Sequence, residues 1–177
     1  HHLQGAIALE LGDRVHPLAS YLWNSGFGEG WALYSEYLPK ELGLYTELYD
    51  DYGRLVMELL RACRLVADTG IHYKRWTEEQ AIQFLLDNMA INRDRAIRSV
   101  RRYFVLPGQA TAYKVGMIKI LELREQAVEE LGNKFDLAAF HEVVLTNGML
   151  PLTILGQLVN EWIAERKGVS IKVQAEA

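Results

Sequence analysis

Cysteine is nearly absent from this 177-residue sequence. The single thiol, Cys63, excludes an internal disulfide and a cysteine cage for a metal. It lies in an apolar stretch of helical spacing, where a small buried hydrophobe is expected. Long hydrophobic runs are missing too. Nothing approaches the roughly 18 consecutive apolar residues of a membrane-spanning helix, so no membrane span is expected. Charge of one sign is also lacking: 19 Lys and Arg stand against 23 Asp and Glu, for a net charge of −4. That balance offers no broad basic face for a nucleic-acid backbone, so no nucleic-acid partner is expected. The one dense basic run, Arg93 to Arg102, reads as the solvated face of a helix. The sequence opens at His1 without a signal peptide, so compartment and oligomeric state are not legible. Strand alternation, internal repeats and low-complexity linkers are absent as well.

Helical periodicity is what remains. Leu3, Ile7 and Leu11 share one face of a first helix. The run Asn24-Ser25-Gly26-Phe27-Gly28 breaks the chain and supplies cap residues for a helix expected to begin near Glu29. Pro39 and Gly43 interrupt or end that helix. Residues 46–68 form a long amphipathic run through Leu48, Tyr52, Leu55, Leu59, Leu60, Cys63 and Val66, with Gly70 as its expected stop. Thr77 and Gln80 form a capping-box pattern before Ala81 to Met89. Asn92 or Asp94 opens the arginine-rich helix, Pro107-Gly108 ends it, and residues 109–131 carry the next helix up to Gly132. Asp136 caps a further helix, Asn147-Gly148 turns, and Pro151 starts the last one. Residues 169–173 read as a short strand or a frayed tail. The expectation is an all-α chain: one multi-helix domain over residues 1–177.

Few residues here are suited to chemistry. Adjacent histidines on a helix point about 100° apart, so at most one of His1 and His2 faces a given metal. Alone, such a pair reads as a surface feature or a tag remnant. Glu29 is expected in the first turn of its helix, where the dipole favours a carboxylate. Glu36, seven residues on, lies on nearly the same face as an ion-pair partner or a solvated charge. His72 falls in an expected break between helices. Pro107 to Tyr113 opens a helix with small residues, which would let another backbone approach and would place the Tyr113 hydroxyl near a helix start.

Taken together, several segments resemble one family. They are His1-His2-Leu3-Gln4, Gly28-Glu29-Gly30-Trp31-Ala32-Leu33-Tyr34-Ser35-Glu36, Asp68-Thr69-Gly70-Ile71-His72, Trp76-Thr77, Pro107 to Ala110 with Tyr113-Lys114, Phe135-Asp136-Leu137, Phe140-His141 to Gly148, and Pro151-Leu152. Their order resembles the bacterial family named domain of unknown function 885, itself similar to helical gluzincin zinc peptidases of the oligopeptidase and carboxypeptidase Taq type. The resemblance implies a motif His-Glu-x-x-Pro-Gly-His-His-x-Gln, of which His1-His2-x-Gln4 matches the end. Its first His and its general-base Glu would lie upstream. It further implies zinc as cofactor, a peptide substrate, His1 or His2 (His1 preferred) and Glu29 as ligands, and Tyr113 and His72 as oxyanion or substrate-backbone donors. Glu36 and Gln109 would support the site, and Arg64 would meet a substrate carboxylate. Zinc hydrolases use three protein ligands and one open position for water. Lacking the general base, this chain by itself is expected to be inactive. The alternative is a non-catalytic helical scaffold or peptide-binding module, and metal binding separates the two.

Overall fold

A computed structural model describes residues 1–12 and 23–168. The expected strand or tail at residues 169–173 lies outside them. The described residues fold as helices with no strand among them. In chain order these are α1 (His2–Leu11), α2 (Ser25–Glu41), α3 (Leu48–His72), α4 (Glu78–Asn88), α5 (Arg93–Val105), α6 (Gln109–Leu131), α7 (Leu137–Thr146) and α8 (Leu152–Lys167), with a 3-10 turn at Gly132–Lys134. None of them is long and apolar enough to cross a membrane.

Local chemistry sets most of the boundaries. The Thr77 hydroxyl accepts from the Gln80 backbone N–H while the Gln80 side chain accepts from the Thr77 N–H, a closed capping box. Asn92 caps α5 by accepting from the Arg95 N–H at 2.9 Å, and Asp136 caps α7 by accepting from the Ala139 N–H at 2.7 Å. Each satisfies a donor that the helix leaves unpaired. Replacing Thr77 by alanine is expected to cost about 1 kcal/mol, read as a lower thermal midpoint by circular dichroism. An unchanged midpoint would mean that the box contributes nothing.

The chain divides into two compact units: the described residues of His1–Gly28 with Lys119–Ala177, and Glu29–Ile118. In the first, α7 packs against α1 and α8. Its core is three stripes four residues apart: Leu123, Ala127 and Leu131 on α6, Phe140 and Val144 on α7, and Leu155, Val159 and Ile163 on α8. The Phe140 ring lies 6.2 Å from Phe135 and 6.3 Å from Trp162.

In the second unit α3, α4 and α5 pack on one another. Leu60, Cys63, Ala67 and Ile71 of α3 meet Ala81 and Leu85 of α4 and Ala96, Val100 and Tyr103 of α5. Cys63 is buried there, and burial pushes its thiol up from the ordinary range. The arginine-rich face is solvated as expected, with Arg93 paired to Glu79 and Arg101 to Glu78. Within the same unit α2 and α6 touch backbone to backbone. A Cβ at Gly30 would lie 2.5 Å from the Gly116 Cα.

Three expectations are corrected. The helix expected from Glu29 begins at Ser25, because the Asn24 side chain accepts from the Phe27 N–H at 3.0 Å. Glu29 therefore stands in the second turn. The long amphipathic helix does not stop at Gly70 but continues to His72. Gly70 is there for space, since a Cβ would come 2.3 Å from the Trp76 ring. Trp76 folds back on it by donating its N–H to the Gly70 carbonyl, after a turn in which Arg75 takes a positive φ of 59°. Lastly, the first half of α3 leaves its apolar stripe exposed. Leu48, Tyr52, Leu55 and Leu59 are exposed, by 90%, 62%, 50% and 47%.

Candidate functional site

The residues around the start of α6 are placed by a buried carboxylate. Asp68 of α3, 3% exposed, accepts the Gly108 N–H with both oxygens, at 3.1 and 3.2 Å. Gly108 takes a φ of 79°, which favours glycine, and the Thr111 hydroxyl donates to its carbonyl at 2.7 Å. This clasp fixes the first turn of α6 and with it Gln109 and Tyr113. The Asp68 charge also sits at the positive end of the helix dipole.

Gln109 is the hub. Its Nε2 donates to Glu29 Oε1 at 3.2 Å and to the Tyr113 hydroxyl at 3.3 Å. Its Oε1 accepts from Arg102 at 3.3 Å. A guanidinium only donates, so Arg102 fixes which end of the amide faces it and turns the NH2 toward Glu29 and Tyr113. The Tyr113 oxygen accepts, which leaves its proton to be donated elsewhere. Glu29 itself is half-buried.

The Tyr113 ring is met by two arginines of α3. The Arg61 and Arg64 guanidinium carbons stand 5.7 and 5.3 Å from its centroid, within cation–π range. Arg61 also donates to Glu36 at 3.0 Å. Nearby, Glu58 pairs with Arg54 at 2.9 Å and with Lys114 at 2.5 Å. The Nε atoms of Arg61 and Arg64 are buried with no hydrogen-bond partner. Burial raises the Tyr103 phenol above its usual range, opposed by the charge of Arg64 beside it.

Of the residues singled out in the sequence, the structure thus joins Glu29, Gln109, Tyr113, Arg64 and, through Arg61, Glu36. It takes His72 elsewhere. That ring is the exposed end of α3, not a loop residue; its Nε2 lies 2.9 Å from the Tyr103 carbonyl oxygen, and its ring is edge-on to Phe104. His1 and His2 are both exposed. Gln4 is buried at 5%, and its Oε1 lies 3.0 Å from His1 Nδ1. Among the described residues no three His, Cys, Asp or Glu side chains form a group able to hold a metal ion. Arg102, Arg61 and Asp68 were not picked out as site residues in the sequence. Arg102 lies in the run that reads as a solvated helix face, no pattern in the sequence marks Arg61, and nothing local ties Asp68 to Gly108.

The chain matches the family described as bacterial protein of unknown function, DUF885, over residues 1–159. Two solved structures are similar to it. One is a Colwellia psychrerythraea protein provisionally assigned as a lipoprotein, 51% identical over 80% of this chain, with a TM-score of 0.77. The other is a Shewanella oneidensis protein of unknown function, also provisionally assigned as a lipoprotein, 30% identical over 91% of this chain, with a TM-score of 0.76. This chain spans 24% and 29% of their respective lengths. No curated protein matches it. A match over nearly the whole chain, joined by relatives of the same helical fold, places it plainly: the chain belongs to the bacterial DUF885 family.

Proposed function

We propose that the chain is part of a zinc-dependent peptidase. The observation that carries this reading is the cluster at the start of α6. Glu29, 80 residues away in sequence, is brought to the same amide as Tyr113. A carboxylate and a phenol joined by one fixed amide are the parts a hydrolytic site needs beside a metal: an anionic ligand and a donor for a developing oxyanion. Among the residues present, Glu29 offers a carboxylate oxygen of the kind zinc accepts, held in orientation by Gln109.

Zinc, when bound, would polarise a scissile carbonyl and acidify a water molecule. The chain's own residues supply the rest. Gln109 holds the Glu29 carboxylate by a neutral donor, which leaves its charge uncancelled by that contact. Tyr113, accepting from Gln109, keeps its O–H available to donate to an oxygen that gains charge. Arg61 and Arg64 hold the ring and add positive potential at that oxygen. No residue of this cluster is assigned the general-base role, so the chain alone should turn over no peptide. The lipoprotein assignment of the two relatives supports an exported parent protein.

The test is metal content in a longer chain that includes the complete motif. About one zinc per chain is expected, and it should fall to background in Glu29→Ala. Stoichiometric metal in that variant would remove Glu29 as a ligand. No metal in the parent would leave the non-catalytic scaffold as the better reading.

A further inference from the structure

The long helix α3 carries two apolar faces. One holds Leu60, Cys63, Ala67 and Ile71 and is buried against α4 and α5. The other holds Leu48, Tyr52, Leu55, Leu59, Ala62 and Val66. Successive members of this second row are alternately four and three residues apart, the spacing of a seam between two helices. At 100° per residue the row lies roughly 110° around the helix from the buried face. Its large members are exposed, down to Val66 at 44%. Single exposed leucines are ordinary on a protein surface, but a continuous apolar row about 27 Å long is not. The acidic groups along one edge of the row are already neutralised. Asp51 pairs with Lys40 and Arg54, and Glu58 with Arg54 and Lys114. The row therefore offers apolar contact and little attraction for a charged partner.

We infer that this row seats a further helix of the family protein, one that lies outside residues 1–177 and carries its own apolar residues at the same heptad spacing. This chain spans 24% and 29% of the two solved relatives, so most of each relative lies outside the matched region. The period of the row selects a helix as the occupant, because only a helix returns apolar side chains at alternate steps of three and four. That helix must run about five turns to cover Leu48 to Val66. A second copy of the chain is a poorer occupant. A stable dimer needs roughly 20–30 residues a side, and one edge of one helix supplies far fewer. A segment of the same polypeptide needs no such area, because tethering keeps its effective concentration high. Such a helix would be seated whether or not the protein binds zinc. It would still bear on the candidate site, since α3 also carries Arg61 and Arg64 against Tyr113 and Asp68 against Gly108. Clamping α3 from its exposed side would brace all three.

The test compares this chain with the same chain extended to the length of its solved relatives. Leu55→Cys is made in both, and its labelling by N-ethylmaleimide is read at that residue by mass spectrometry. Cys63 is buried, so it adds little background. Each rate is referred to that of the same protein unfolded in urea. The thiol at position 55 is expected to react at least about a hundredfold more slowly in the longer protein, since the seated helix must open before the reagent enters. Leu55→Lys should leave the thermal midpoint of this chain within about 2 °C and lower that of the longer protein by about 5 °C. A benzophenone side chain at position 52 of the longer protein then identifies the neighbour. The expected photo-cross-link is within one chain, to a segment outside residues 1–177. Equal labelling rates in the two chains overturn the proposal. So does a cross-link between two chains, which makes a second copy the occupant, or a link back to residues 1–177. If Leu55→Cys does not fold, hydrogen exchange in the unsubstituted proteins replaces it. Slower exchange over residues 48–59 in the longer protein is then expected, and equal exchange overturns the proposal.

Discussion

Gly30→Ala is expected to destabilise the protein by about 3 kcal/mol and lower its thermal midpoint by about 10 °C. The added methyl would lie 2.5 Å from the Gly116 Cα, 2.6 Å from its carbonyl carbon and 3.0 Å from the Met117 nitrogen. All three are backbone atoms, so no rotamer change can make room, and α2 and α6 must separate. Gly53→Ala is the matched control. That glycine is also inside a helix, but nothing lies within 4 Å of its added Cβ. Alanine there should stabilise α3 by about 0.5–1 kcal/mol. Thermal denaturation of both variants decides the matter. If Gly30→Ala melts within a degree or so of the parent, the close helix crossing is not a constraint on the fold. Glu29 adjoins that crossing, so the same variant should also disturb the contact between Glu29 and Gln109.

Asp68→Ala is the second large effect. It removes a buried acceptor that takes the Gly108 N–H with both oxygens, and a negative charge at the positive end of α6. The expected cost is about 2 kcal/mol, in the range for hydrogen bonds to charged groups. With a urea dependence of about 2 kcal/mol per molar, the denaturation midpoint should fall by about 1 M at unchanged slope. Asp68→Asn keeps one acceptor oxygen but loses the charge, so roughly half the effect is expected. If the alanine variant unfolds at the parental urea concentration, the clasp does not hold the start of α6. An asparagine variant as unstable as alanine would assign the whole effect to charge.

What could be read in the sequence was mostly local. Thr77, Asn92 and Asp136 mark helix starts because each satisfies donors two or three residues ahead, and the structure uses all three. The limits of α6 at Gln109 and Leu131 followed from Pro107-Gly108 on one side and Gly132 on the other. Failures came where a distant residue decides. Gly70 reads as a stop until the Trp76 ring is seen filling the space beside it. The first half of α3 carries the right periodicity, yet its apolar residues stay exposed. In the candidate site, Glu29, Gln109 and Tyr113 were named from a resemblance rather than from spacing. No local pattern predicts that Arg102 orients the Gln109 amide, or that Asp68 reaches Gly108 across 40 residues.

The long reach of these contacts bears on the order in which the molecule is completed. The packing of α4 on α5 joins neighbours in the chain and closes only short loops. The Glu29–Gln109 contact closes a loop of 80 residues, and the Asp68 clasp one of 40. Loop-closure entropy rises with length, so such contacts are rewarded only after the intervening helices have formed. During synthesis Glu29 leaves the ribosome long before its partner amide exists. Until residues 109–113 emerge, this acidic group has neither Gln109 nor Tyr113 to position it. The chemistry assigned to the cluster is therefore unavailable to a nascent chain and arises only when the start of α6 docks.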